Sequence, residues 1–422
     1  MSNIATASSS SAAQVWGYLE PLVPSPNLQR INFVKHSVAI GRGAANDVLF
    51  DGCAVSKLHA TIQWNGRRDR MSVVTITNLS TTNGTFVDGA KVEGINVHRL
   101  FDGCTVFFGC RVRVHGEDDD YRFTFHHPFG RSKNETIFNH YTVGDRIGGG
   151  LHGHVHRALE KATGKIFAVK TSWRHDRPES LACAVQEAVA FMNLAHDNIA
   201  RLHEVFFRMD NGTLDMILEY IDGISLEALV LQSRLSELQA KELTLQLSRG
   251  VAFLHEKKIS HGDLKLDNVL LTRHPPPQIK IIDFGLAKVD RLWSTHPVLT
   301  DHIFTAPEAH QQAIMNTITH YTVCQQWDGW ALGCIVFHLL VSRHPFIRKG
   351  IAETGPFDPV QDTIDWHVLN RTSAKAQDFV LGFLHVNPRN RMTADEALIH
   401  SWIMGHRLYT VSFDELGFTS VD

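Results

Sequence analysis

At 422 residues, with 43% hydrophobic and 20% charged side chains, the chain is long enough for two or three domains, each able to bury its own core. A formal net charge of -3 gives no bulk electrostatic case for binding nucleic acid or an acidic membrane, and no apolar run reaches membrane-span length. The six cysteines include no Cys-x-x-Cys pair, and the Ser/Ala-rich start lacks a basic segment followed by an apolar one. A soluble intracellular protein without disulfides or a zinc cluster is therefore expected.

Residues 1–15 are small and polar, too poor in apolar groups to offset the entropy of ordering, and are expected to form a disordered tail. From 16 to 126 the texture changes to short alternating runs broken by Gly, Asn and Asp, such as Thr85-Phe86-Val87 and Val106-Phe107-Phe108. That pattern predicts short antiparallel strands and an all-β sandwich or barrel. Three elements in this region carry chemistry: Gly41-Arg42, Ser56-Lys57-Leu58-His59 and Asn83-Gly84-Thr85. Guanidinium, ammonium and hydroxyl donors on converging loops suit a dianionic phosphate, although an Asn-Gly pair alone signals only a tight turn.

The ordered set resembles the forkhead-associated (FHA) domain. The resemblance implies phosphothreonine binding by Arg42 and Ser56, with Lys57 as a further phosphate contact and Asn83 holding the ligand backbone. His59 reads as a structural residue that ties down its loop. Residues 127–140, with Pro128, Gly130 and no periodicity, read as a linker.

The region 141–403 carries a second set of motifs. Gly148, Gly150, Gly153 and Val155 fall on a Gly-x-Gly-x-x-Gly-x-Val spacing, in which residues lacking Cβ let a hairpin lie close over phosphates. An apolar strand then ends in Lys170, a group costly to bury without a partner. Further on come His261-Gly262-Asp263-Leu264-Lys265-Leu266-Asp267-Asn268 and Asp283-Phe284-Gly285, which put carboxylates and an amide at the intervals that phosphoryl transfer from a magnesium nucleotide requires.

Together these resemble the protein kinase domain, with an N-lobe over about 141–219, a C-lobe over about 222–403 and a tail at 404–422. The fold expected is thus an all-β FHA sandwich followed by an α+β bilobal kinase domain. The resemblance implies ATP and Mg2+ as cofactors. Asp263 would accept the substrate hydroxyl proton and Lys265 would steady the γ-phosphate, while Asn268 and Asp283 would hold the metal. Lys170 would contact the nucleotide phosphates and pair with Glu187, Leu218 would be the gatekeeper, and the backbones of Glu219 and Ile221 would bind adenine. A lysine two residues after the aspartate points to Ser/Thr protein substrates. Glu308 is expected to pair with Arg391, Asp328 to support the catalytic loop, and residues 394–402 to form one last helix.

Two departures from the family pattern stand out. Gly262 replaces the arginine that grips a phosphate on the activation segment, so activity is expected to be constitutive, driven by dimerisation, or ordered by other contacts. Asp301 replaces a threonine that bonds near the catalytic aspartate, and a like charge there would resist ionisation of the pair. Thr295, Thr300 and Thr305 are the candidate autophosphorylation sites. An FHA domain followed directly by a kinase domain resembles the checkpoint-kinase-2-like group. That resemblance implies a nuclear enzyme recruited to a phosphothreonine-containing protein scaffold, able to homodimerise, in a DNA-damage or meiotic checkpoint, without direct nucleic-acid or membrane binding. The chain contains no Ser-Gln or Thr-Gln pair, the usual target of upstream damage kinases. A non-catalytic scaffold whose kinase domain only binds nucleotide is the alternative.

Overall fold

Alternation of apolar and polar side chains builds the first part of the molecule. The computed structural model describes residues 14–23, 28–69, 72–92, 97–109, 121–130, 135–150, 153–172, 188, 191–192, 194–208, 213–284, 288–289, 304–309, 321–347 and 363–404. The chain divides into two compact units, Met1–Asn139 and His140–Asp422.

The first unit contains strands β1 (Gly17–Pro21), β2 (Ile31–Phe33), β3 (Ser37–Gly41), β4 (Val48–Leu49), β5 (Ala60–Trp64), β6 (Val74–Asn78), β7 (Thr85–Val87), β8 (Ala90–Lys91), β9 (Val97–Leu100), β10 (Thr105–Phe108) and β11 (Arg122–His126). They form a six-stranded sheet, β2-β1-β11-β10-β7-β8, and a five-stranded one, β4-β3-β5-β6-β9. In β5, Ala60, Ile62 and Trp64 are buried while Thr61 and Gln63 point outward, the period-2 pattern of a strand with one wet face. The inward residues of both sheets merge into one core that includes Trp16, Phe33, Ile62, Ile76, Val106 and Phe123. Trp16 stacks on Trp64 at 5.1 Å. The Trp64 indole N–H donates to Ser72 Oγ, which lies 2.7 Å from His127 Nε2, and His127 Nδ1 bonds the Trp16 carbonyl. The His127 imidazole is held below its usual pKa, chiefly by burial.

The second unit begins in the short helix α1 (Ile137–His140) and continues as β12 (Tyr141–Gly150), β13 (Gly153–Glu160), β14 (Ile166–Ser172), β15 (Leu202–Arg208) and β16 (Thr213–Glu219), an antiparallel sheet in the order β12-β13-β14-β16-β15. Short strands β17 (Gly223–Ser225), β18 (Ile259–Ser260), β19 (Val269–Thr272) and β20 (Ile279–Ile281) follow among helices α2 (Leu226–Gln232), α3 (Glu237–Glu256) and α4 (Tyr321–Val341). Helix α3 starts at a capping box between Ser236 and Gln239, which satisfies two backbone donors at that end. Leu243, Leu247, Val251 and Leu254 recur along its buried face. Along helix α4, Leu332, Ile335, Val336 and Leu339 are all fully enclosed.

The end of the domain differs from the single helix expected over 394–402. Helix α5 (Ala374–Phe383) is followed by two short helices, α6 (Ala394–Leu398) and α7 (Ser401–Met404). His400 breaks the run: its Nδ1 accepts the Trp402 N–H and its Nε2 bonds Asp378. The break lets Trp402 bury to 1% exposure, and enclosing that large aromatic outweighs the hydrogen bonds of a continuous short helix.

Candidate active site and phosphate-binding face

The catalytic-loop candidates are assembled around a carboxylate far away in sequence. Asp328, fully buried on α4, accepts four hydrogen bonds: from Ser260 Oγ, His255 Nε2 and the His261 N–H on Oδ2, and from the Gly262 N–H on Oδ1, all at 2.8–2.9 Å. Burial alone would raise this carboxyl; the bond from His255, the nearby imidazoles and the Gly262 N–H outweigh it and hold the group below the usual range. Gly262 has φ +78°, a left-handed conformation that costs a residue with a side chain about 1 kcal/mol. The glycine therefore fits the backbone geometry that lets two successive N–H groups reach one carboxylate.

His261 joins this loop to the Asp-Phe-Gly turn. Its Nδ1 accepts the Asp263 N–H, its Nε2 bonds the Ile282 carbonyl at 2.9 Å, and its ring lies 4.8 Å from the buried Phe284. Phe284 also packs at 4.1 Å against Phe191. Lys265 Nζ and Asn268 Nδ2 both donate to Asp263 Oδ2, at 2.9 and 3.0 Å, so Oδ1 is the oxygen left to meet a hydroxyl. The Asn268 amide nitrogen is spent on Asp263, which leaves the amide oxygen as its remaining polar atom. Asp283 sits at φ +62° and takes the buried Lys170 ammonium at 2.6 Å.

The glycine-rich segment lies on the β12–β13 hairpin. Gly148 pairs with Val155, and Val155 in turn pairs with Lys170 on β14. At Gly153, with φ +145°, a Cβ would fall 2.3 Å from the Thr171 carbonyl, so the close strand approach excludes any side chain. Leu218 and Glu219 end β16, with Leu218 opposite Ala168, and Ile221 follows half-buried. Arg391 forms a two-pronged pair with Glu308 at 2.7 and 3.0 Å, as expected from the sequence.

One acidic feature was missed by sequence reasoning. Glu227, in the first turn of α2, shares a hydrogen bond with Asp267 of the catalytic loop. That contact, with burial and the neighbouring charge, pushes Glu227 up to about 7, partly offset by Lys265. Glu227 belongs to no motif, and it lies forty positions before Asp267, so no local signal joins them.

In the first unit the three candidate loops are laced together. The Arg42 N–H donates to the Ser56 carbonyl and the Gly43 N–H to the Lys57 carbonyl, each at 2.9 Å. Ser56 Oγ lies 2.9 Å from Ser80 Oγ, which receives the Gly84 N–H, and Asn83 Nδ2 donates to the Ala54 carbonyl. His59 is the structural pin: Nδ1 accepts the Ser56 N–H and Nε2 bonds the Gly84 carbonyl. Burial keeps its imidazole below the usual pKa, which suits a neutral ring used once as acceptor and once as donor. Arg42 and Lys57 are exposed, and Ser56 and Asn83 are half-buried.

Comparison with known proteins matches the protein kinase domain to residues 141–403 and the FHA domain to residues 38–109. The chain belongs to the protein kinase family. Death-associated protein kinase 2 of Mus musculus is 32% identical to this kinase over 281 residues, 64% of this chain and 73% of that one. Serine/threonine-protein kinase RAD53 of Saccharomyces cerevisiae is 29% identical over 304 residues, 68% of this chain, which spans only 36% of that protein. The crystal structure of the Rad53 kinase domain and SCD2 superimposes with a TM-score of 0.51 at 26% identity, covering 66% of this chain and 97% of that one. The chain is an ATP-dependent serine/threonine protein kinase that carries a phosphothreonine-recognising FHA domain.

The kinase's oxygen donors at Asn268 and Asp283 are the hard ligands magnesium favours, and the buried Lys170 beside Asp283 suits the phosphates of a nucleotide. Glu187, Gly285, Thr295, Thr300 and Asp301 lie outside the described residues. Thr305 is half-buried beside Phe304, whose ring meets His344 edge-on at 5.6 Å. No helix among the described residues is long and apolar enough to cross a membrane.

Proposed function

We propose that this kinase is brought to its substrates by phosphothreonine on a protein scaffold, and that it acts in a DNA-damage or meiotic checkpoint in the nucleus, with homodimerisation on the scaffold favouring autophosphorylation. The observation that carries the catalytic half is the Asp263 carboxylate, whose Oδ2 is held by Lys265 and Asn268 while Oδ1 is left to a hydroxyl. In this reading Asp263 orients the acceptor hydroxyl and takes its proton. Lys265 steadies the transferring phosphate, and Lys170 holds the phosphates on the other side. The Gly148, Gly150 and Gly153 backbone closes over them, Val155 and Leu218 line the adenine pocket, and the Glu219 and Ile221 backbones fix the base. Asn268 and Asp283 would hold magnesium, which when bound neutralises phosphate charge. The checkpoint setting rests on likeness to RAD53 together with the pairing of FHA and kinase domains.

In the FHA half, Arg42, Ser56 and Lys57 would grip the phosphate and Asn83 the peptide backbone. Arg42→Ala is expected to weaken binding of a phosphothreonine peptide by about a hundredfold, since it removes a charge-assisted bidentate contact. Fluorescence anisotropy measures it, and the weak signal of the unphosphorylated peptide should stay as it is. Equal affinity of both proteins for the phosphopeptide would exclude Arg42 from the site.

The acid pair Glu227 and Asp267 beside the acceptor site favours substrates with a basic side chain near the phosphorylated residue. Glu227, raised to about 7, is mostly protonated at pH 6 and ionised at pH 8, so attraction for a cation should grow as pH rises. The KM of an arginine-containing peptide should fall several-fold from pH 6 to pH 8 relative to its alanine analogue, and Glu227→Gln should flatten that change. Parallel KM profiles for the two peptides would dismiss the preference.

A further inference from the structure

Strand β20 runs straight into Asp283, and its middle residue, Lys280, reaches back across the hinge. Lys280 Nζ lies 2.9 Å from Glu219 Oε1 and 3.2 Å from Oε2, at the last residue of the N-lobe sheet. Glu219 is engaged on its other side as well. Its Oε2 accepts the Arg201 N–H at 3.1 Å, and its own N–H donates to the Arg201 carbonyl at 2.8 Å. The segment leading to Arg201 is in turn stitched to β20: Ile281 N–H donates to the Asn198 carbonyl, Ala200 N–H to the Ile281 carbonyl, and Asn198 Nδ2 to the Ile279 carbonyl. The contacts close a ring from Glu219 through Lys280 and β20 to residues 198–201 and back to Glu219.

We propose that Glu219 and Lys280 act as a positioning pair that sets the distance between the adenine-binding hinge and the metal-binding Asp283. The proposal rests on the nucleotide-site reading above and adds a role for a lysine outside every motif. Neither group is at the site of transfer. Lys280 is three residues before Asp283, and Glu219 supplies its backbone to the hinge, so the ion pair couples the two ends of one bound nucleotide. With side-chain exposures of 13% for Lys280 and 29% for Glu219, the pair is shielded enough from water for its loss to register. The carboxylate fork also sets an angle, because one oxygen is shared with the Arg201 N–H while the ammonium bridges both. Breaking the pair frees the hinge from β20, and a nucleotide must then order it on binding, which appears as weaker affinity rather than slower chemistry.

The test uses the full-length protein with Mg·ATP, in calorimetric titration and in steady-state transfer to a peptide. Lys280→Met is expected to raise Kd and KM for Mg·ATP by about fivefold, with kcat at saturating nucleotide changed less than twofold. Lys280→Arg should restore wild-type affinity, and Glu219→Gln combined with Lys280→Met should be no weaker than either alone. An unchanged Kd, a kcat loss matching the KM change, an arginine variant as weak as the methionine one, or additive losses in the double variant would each overturn the pairing role. The wild-type control separates this from the parent reading. Nucleotide binding without Asp263-dependent transfer would defeat the kinase assignment, while the Kd series would still judge the pair.

Discussion

Asp263→Ala is expected to lower kcat by about 10²- to 10⁴-fold while Mg·ATP affinity stays within a few-fold of wild type. The carboxylate meets the acceptor hydroxyl, so its loss removes an interaction made in the transition state. The groups that would hold the nucleotide, Lys170, Asn268 and Asp283, keep most of their contacts. Asn268 loses one of its two bonds to Asp263 but retains the backbone carbonyl at 2.8 Å, so the loop should hold its shape. A radiolabelled transfer assay paired with nucleotide titration reads both quantities. The outcome also decides against a non-catalytic scaffold: equal background incorporation by wild type and variant would sink the enzyme.

Arg391→Met is expected to destabilise the kinase domain by about 3 kcal/mol, the cost of leaving a half-buried carboxylate without its partner. Its side chain is wholly enclosed. The guanidinium donates to both Glu308 oxygens and to the carbonyls of Gln326 and His385, and it lies 5.1 Å from the Trp330 ring. Glu308 follows directly on Ala306-Pro307, so the pair anchors the end of the activation segment to the helical lobe. The Glu308→Leu/Arg391→Met double variant should recover a large part of the loss, because most of the single-site penalty is the stranded charge. Urea unfolding of wild type, Glu308→Leu, Arg391→Met and the double variant measures it. A double variant as unstable as the two single losses added together would mean that packing, and not charge, dominates.

Much of the fold and site could be read from the chain because the signals are local. Period-2 alternation marks β5 and β6, and the glycine spacing, the apolar strand ending in Lys170, and the catalytic and Asp-Phe-Gly segments each occupy a few consecutive residues. Even the Glu308–Arg391 pair was legible, since each partner sits in its own short motif. The break at His400 was not, because a run of helix-forming residues from 394 to 402 says nothing of the enclosure of Trp402. Glu227 with Asp267, and Lys280 with Glu219, were equally silent. Their partners are set by how lobes and helices pack, and a lone acid or lysine looks like any solvated residue.

Gly262 marks the boundary between the two kinds of information. By itself the sequence determined that a lost arginine removes a phosphate grip, because that follows from residue chemistry. Only the tertiary structure showed what the glycine contributes: a left-handed turn that lets His261 and Gly262 direct adjacent N–H groups at Asp328, sixty-six residues further along the chain. Spacing within a motif encodes which groups are available. Which of them share a buried carboxylate depends on a hydrogen-bond hub that exists only once α4 has packed behind the catalytic loop.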